Sequence, residues 1–299
     1  MDFIHQHKTV YGVESICRVL PIAPSTYYRH AQRLKQHELR SKRCVSDEGL
    51  LSQIQTVWQD SLQVYGYRKV WRQLQREGVQ VARCTVARLM RQHSIQGVWR
   101  GKGKRTTVYD PELQRADDLV NRQFTASRPN QLWVADFTYV STHQGFVYTA
   151  FIIDVFARRI VGWKVAKRMD TDLVMDALEQ ALHARNKPKH LIHHSDRGSQ
   201  YLSIRYTERL QDAQVKASVG TTGDSYDNAL AETVNGLYKT EVIEYLKADW
   251  QGLADVQLAT LNWVDWFNKE RVHSALGYVS PFDFEAMYYD KINQLGQVA

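Results

Sequence analysis

The sequence predicts an α/β protein: a five-stranded mixed sheet flanked by helices, preceded by a basic, all-helical region. Three observations predict it. Runs rich in β-branched and aromatic residues at 132–141, 146–156 and 159–166 follow one another across short turns and read as a meander of strands. Beyond them, apolar residues at helical spacing alternate with two shorter strand-like runs. Ahead of residue 126 the apolar stripes keep the helical period, and the charge balance differs. Residues 1–125 hold 21 Lys/Arg against 11 Asp/Glu, while residues 126–299 hold 18 against 21. A basic front beside a near-neutral core points to a polyanion held by the front half.

Residues 1–43 read as a short helical unit. Val13, Ile16, Cys17 and Leu20 recur at helical spacing, Pro21 and Pro24 interrupt them, and Ser25 is placed to cap a second helix through Tyr27, Tyr28 and Leu34. Residues 44–96 read as three helices. Their stripes are Leu50, Leu51, Ile54, Val57 and Trp58, then Tyr67, Val70, Trp71 and Leu74, then Val86, Leu89 and Met90, with a turn at Glu77-Gly78-Val79. That is the plan of a DNA-binding helix-turn-helix. Arg83, Arg88 and Arg91 lie off the third stripe, free to meet a groove or phosphates; a plain helical bundle with solvated arginines is the alternative. Residues 97–131 form a connector. Within it Arg100, Lys102, Lys104 and Arg105, spaced by Gly101 and Gly103, suit phosphate tracking, with a simple linker as the alternative.

Residues 132–250 form the core. After the three strands, a helix begins with Thr171 as its cap, buries Leu173, Val174, Ala177, Leu178, Ala181 and Leu182, and ends before Pro188. A strand at 190–194, a helix at 203–212, a strand at 214–219 and a helix from Asp227 to Tyr245 follow. The order βββαβαβα is that of a ribonuclease-H-like fold. Residues 251–299 open with an amphipathic helix whose Leu253, Val256, Trp263, Val264 and Phe267 suit packing on the core. No run of 18 apolar residues occurs, which excludes a membrane-spanning helix. The first residues lack a secretory pattern, and Cys17, Cys44 and Cys84 form no Cys-x-x-Cys pair. These features make a cytoplasmic protein the expectation, with no zinc knuckle or disulfide framework, and a DNA partner would associate it with the nucleoid.

Three acidic residues carry the chemistry. Asp136 lies in the strand run Trp133 to Tyr139, Asp196 lies where the run Leu191 to Ser195 turns into Arg197-Gly198, and Glu232 lies in the first turns of the last core helix. Three carboxylates on two strands and a helix can converge, but their repulsion makes that costly without cations, and hard Mg²⁺ prefers oxygen ligands. Two ions held by carboxylates suit in-line phosphoryl transfer. Asp154, Asp224 and Asp227 are rival carboxylates: Asp154 ends the second strand and Asp227 is placed to cap the helix. His193 and His194 point to opposite strand faces, so one can approach the substrate or Asp196 while the other is structural.

The strings Trp133 to Tyr139, His193 to Tyr201 and Gly223 to Glu232 resemble the catalytic core of DDE transposases, which is of the retroviral-integrase type. More narrowly, they resemble the second reading frame of insertion-sequence family three. Thirty-five residues separate Asp196 from Glu232, Lys239 stands seven beyond Glu232, and Asn268 to Tyr278 with Ser280-Pro281 also fits. The similarity runs from about Tyr11 to Glu285. It implies that Asp136, Asp196 and Glu232 are catalytic and hold two Mg²⁺ ions, with Mn²⁺ as a substitute. It further implies nicking at the terminal inverted repeats and joining of the 3′-OH to target DNA. Lys239, His194 and Arg271 become DNA-contact candidates. Double-stranded DNA, further copies of the chain on paired ends, and an upstream-frame partner or frameshift fusion are the implied partners. Two rivals remain: a DNA-binding regulator that keeps the core as scaffold, and a nuclease that hydrolyses without joining.

Overall fold

The structure, a computed structural model, describes residues 1–36, 39–99, 119–120, 124–196, 198–220, 228–245 and 249–296. At the front, α1 (Asp2–Tyr11), α2 (Val13–Val19) and α3 (Pro24–Lys35) close on a small cluster of Ile4, Ile16, Cys17 and Tyr27. Ser25 does not cap α3. Ala23 is the cap residue and Pro24 opens the helix, because its fixed φ suits the first helical position and its missing N–H costs nothing there.

Next come α4 (Lys42–Asp60), α5 (Tyr67–Arg76) and α6 (Arg83–Gln92). The Ser41 hydroxyl caps α4 by accepting from the Cys44 N–H at 3.2 Å. The expected stripes meet: Ile54, Val57, Val70, Leu74, Val86, Leu89 and Met90 are buried together. The turn between α5 and α6 passes through Gly78 at φ 84°, a conformation that costs any other residue.

The core sheet contains β1 (Leu132–Thr142), β2 (Gly145–Asp154), β3 (Arg159–Ala166), β4 (Ile192–Ser195) and β5 (Lys216–Val219), in the order β3-β2-β1-β4-β5. The first three strands are antiparallel; β4 and β5 join parallel to β1. One face carries α7 (Thr171–Ala184) and α8 (Ile204–Asp212) over Trp133, Ala135, Ile152 and Val161. At Gly162 an added Cβ would stand 2.2 Å from the Ala177 carbonyl oxygen, so a side chain there would push α7 off β3. The other face carries α9 (Ala229–Tyr238) and α10 (Leu253–Lys269), with Phe151, Tyr238 and Trp263 in ring contact. A last helix, α11 (Pro281–Gly296), follows a 3-10 turn at Ser274–Leu276.

Two core expectations change. Asp170, not Thr171, caps α7, its carboxylate accepting from the Leu173 N–H at 3.2 Å. The last core helix does not run as one α-helix to Tyr245. It widens after Tyr238 into a π-helical turn at Lys239–Glu244. Asp227, expected to cap it, lies outside the described residues, and Asn228 stands at the N-cap without a capping side-chain bond.

The front helices rest on the C-terminal segment. The Val272 N–H donates to the Tyr65 hydroxyl at 2.7 Å, the Tyr65 and Trp266 rings lie 6.0 Å apart, and Arg76 meets Asp283 at 3.0 Å. No helix among the described residues is long and apolar enough to cross a membrane.

Candidate active site

β1 and β4 run parallel and in register, with Ala135 opposite Ser195. Asp136 and Asp196 are each the next residue, so their carboxylates leave neighbouring strands at the same level. β4 ends there, and the Gly198 N–H donates back to Asp196 Oδ1 at 3.0 Å, an Asx turn. Asp136 Oδ1 accepts from the Phe137 N–H at 2.8 Å, and Oδ2 accepts from Asn235 Nδ2 at 2.8 Å.

Helix α9 lies over this strand end. Asn228, Glu232, Asn235 and Lys239 recur at spacings of four and three, one face of a helix. Asn228 Nδ2 donates to the Ala135 carbonyl at 2.8 Å. The Oδ1 atoms of both Asn228 and Asn235 are buried without a hydrogen-bond partner. Each is an acceptor kept from water, a costly state that a bound group can relieve.

The electrostatics join all three acids. Burial, then the Asp196 charge, pushes the Asp136 carboxyl up to about 8; Glu232 adds to the rise, while the bonds from Phe137 and Asn235 oppose it. Burial raises Asp196, with Gly198 and His194 opposing. Burial lowers the Lys239 ammonium against the pull of Glu244 and Asp136. Glu232 itself is exposed in the first turn of α9. Among the described residues, no three His, Cys, Asp or Glu side chains form a closed ligand cluster. The all-oxygen donor set fits a hard divalent ion in its chemistry.

The other predicted contacts divide. Arg83 and Arg91 are exposed on α6. Arg88 is half-buried and tied to α4, Nη2 donating to Asp47 Oδ1 at 2.8 Å. Arg100, Lys102, Lys104 and Arg105 lie outside the described residues. Two expectations of DNA contact are corrected. Arg271 is 5% exposed, and its guanidinium is spent on the buried carboxylate of Glu241 and on His273. His194 is buried too, its Nδ1 2.9 Å from Ser218 Oγ and its ring edge-on to Phe124. His193 faces the opposite side, 3.1 Å from the Tyr206 hydroxyl, and burial lowers it to about 3, so it is neutral. Asp154 is fully buried and accepts from the N–H groups of Asn130 and Phe156, which makes it a structural group.

Sequence reasoning missed Asn228 and Asn235. Their signal is the shared helical face with Glu232, visible in the spacing but silent in charge.

The Integrase core domain family matches residues 126–225 and, in a second form, residues 213–281; the HTH-like domain family matches residues 46–103. The chain is 55% identical over 293 residues to the transposase for insertion sequence element IS629 of Shigella sonnei, covering 98% of this chain and 97% of the relative. It is 53% identical over 275 residues to the putative transposase for insertion sequence element IS986/IS6110 of Mycobacterium tuberculosis, covering 90% and 97%. Among solved structures, the HTLV-2 integrase catalytic core domain in complex with magnesium aligns with a TM-score of 0.44 at 20% identity, covering 54% of this chain and 99% of that one.

Proposed function

The chain belongs to the insertion-sequence transposases of family three, which pair an HTH-like domain with an integrase core, and on that basis we propose that it nicks DNA at an element end and joins the freed 3′-OH to another strand. One observation carries the reading: Asp136, inside β1, and Asp196, just past the end of β4, stand at the same level of neighbouring parallel strands near the helix that brings Glu232, and Asp136 feels both other charges.

In this reading Asp136, Asp196 and Glu232 would together hold the divalent ions, Mg²⁺ or Mn²⁺. Bound ions supply activation of the attacking oxygen and neutralise charge at the leaving one. The chain's own residues prepare the place. Asn235 and the Phe137 N–H fix the plane of the Asp136 carboxylate. Asn228 holds the strand at Ala135, and its Oδ1, like that of Asn235, is a buried acceptor without a partner. Lys239 offers a cation for the phosphate beside the scissile bond. No side-chain nucleophile is required: water first and a 3′-OH second attack at one site.

DNA is the partner. The exposed Arg83 and Arg91 on α6 supply contacts to the terminal repeats, and the basic run at 100–105 tracks phosphates. Work on paired ends in several copies, an upstream-frame partner or fusion, and a place at the nucleoid complete the proposal and rest on the family.

The test is a strand-transfer assay on an element-end duplex with Mg²⁺, comparing the parent with Asp136→Asn, Asp196→Asn and Glu232→Gln. All three are expected to bind DNA and to lose nicking and joining together. Joining retained by any one removes that residue from the site. Nicking without joining by the parent, given a pre-cleaved 3′-OH end, would favour a nuclease.

A further inference from the structure

Beside the acidic site lies an aromatic surface that the chemistry above leaves unused. Strand β1 pairs with β4 only from Leu132 to Ala135, and onward to Thr142 it pairs with β2. Tyr139 stands on this stretch, and Phe146 stands on β2, across from Ser141. Their rings meet edge to face, centroids 5.4 Å apart, yet Tyr139 is 49% and Phe146 55% exposed. A lone exposed aromatic is ordinary; two in contact next to a polar site, one ring braced by the other at 86°, offer an apolar surface with a reason to stay uncovered.

The charge beside them narrows that reason. Lys239 Nζ lies 4.5 Å from the centre of the Tyr139 ring, and the same ammonium interacts with Asp136. A cation resting on a ring at the surface is held weakly and yields to an anion that can pair with it directly. A braced ring and a transferable cation, side by side, match the two halves of one nucleotide: a base to stack and a phosphate to pair. Inside a duplex the faces of a base are covered by its neighbours, so the base that stacks here has left the helix.

We propose that the Tyr139 ring, braced edge to face by Phe146, forms a stacking platform for an unpaired nucleobase next to the scissile phosphodiester, while Lys239 pairs with the phosphate of that nucleotide. The proposal rests on reading the Asp136 site as the place of phosphodiester chemistry. The platform holds the DNA end open, so that the phosphate reaches Asp136 and Asp196 without the rest of the duplex. It takes any base, because every base has a π-face.

The experiment uses the full chain and element-end duplexes in which each nucleotide flanking the nick is made abasic in turn. At one position the abasic change should slow nicking by the parent by roughly tenfold, within the range of base–aromatic stacking. The same change should cost Tyr139→Ala nothing further, while Tyr139→Trp, which keeps a ring, should show the parent's penalty. Phe146→Ala should show a reduced one. Tyr139→Leu keeps apolar bulk without a ring and replaces Tyr139→Ala if melting shows the alanine variant unfolded. An equal abasic penalty in the parent, Tyr139→Leu and Phe146→Ala overturns the platform and leaves the active site standing. Absence of metal-dependent nicking by the parent overturns the site reading and this inference with it.

Discussion

Asp136 is held between two donors and two like charges, and that balance sets its behaviour. Its carboxyl is raised to about 8, so in the ion-free chain it is largely protonated at pH 7. A folded-state value above the ordinary one favours folding at low pH, and that contribution fades as pH climbs through about 8. An ion must displace the proton below that point. Apparent Mg²⁺ affinity should therefore increase from pH 6 to 8 and level off above, with proton release seen by calorimetry in buffers of different ionisation enthalpy; Asp136→Asn should release none at this group. Asn235→Ala should raise the Mg²⁺ concentration for half-maximal nicking by about tenfold or more, as loss of a ligand's orienting partner does, with DNA affinity unchanged. The strands that place the two aspartates are legible in their apolar runs. Asn235 is not, because an amide among helix residues carries no signal until its partner across the fold is known. Arg271 and His194 mislead for the converse reason: sequence shows a charge or a ring, and only the fold shows Glu241 and Ser218 absorbing them.

Helix α9 is the element on which the site turns, and its far end is an unusual anchor. In the π-turn, Glu241 is 6% exposed and accepts from Arg271 and from Trp263 Nε1 at 3.1 Å. The pair is shielded by Trp266 and Phe267, and His273 beside it is lowered to about 2 by burial and by Arg271, so it stays neutral and can accept. Widening the helix by a residue at Lys239–Glu244 accompanies the contact of Glu241 with Arg271. Breaking a buried ion pair on one side strands the other charge. Arg271→Met should cost about 3–5 kcal/mol by chemical denaturation, and adding Glu241→Gln should recover much of it. Periodicity makes the helix legible over its length; it cannot reveal the wider turn, which accompanies a contact thirty residues away. Strand limits were read more closely, since alternation and turn residues act locally: β3 falls at 159–166 as expected, and the other strands within about two residues.

At the scale of the molecule, charge and packing divide the labour. The basic surplus sits in the front half, and that half is bound to the C-terminal segment by Tyr65, Arg76 and the stack of Arg72 on Tyr278. This docking was not legible, because Tyr65 and Val272 are 207 residues apart. DNA affinity should fall steeply with salt. Arg83→Ala or Arg91→Ala should each lower the slope of log affinity against log salt by about one, as a lost phosphate contact does, whereas a folded Arg271→Met should leave it unchanged. The central claim is that Asp136, Asp196 and Glu232 act together by holding divalent metal. It is tested most directly by replacing each aspartate with cysteine and changing the ion, since thiolate binds Mg²⁺ poorly and softer ions well. Asp136→Cys and Asp196→Cys should bind element-end DNA, fail to nick it with Mg²⁺, and regain nicking with Mn²⁺ or Cd²⁺, while Asp136→Ala regains none. Full activity of either cysteine variant with Mg²⁺ would contradict the account.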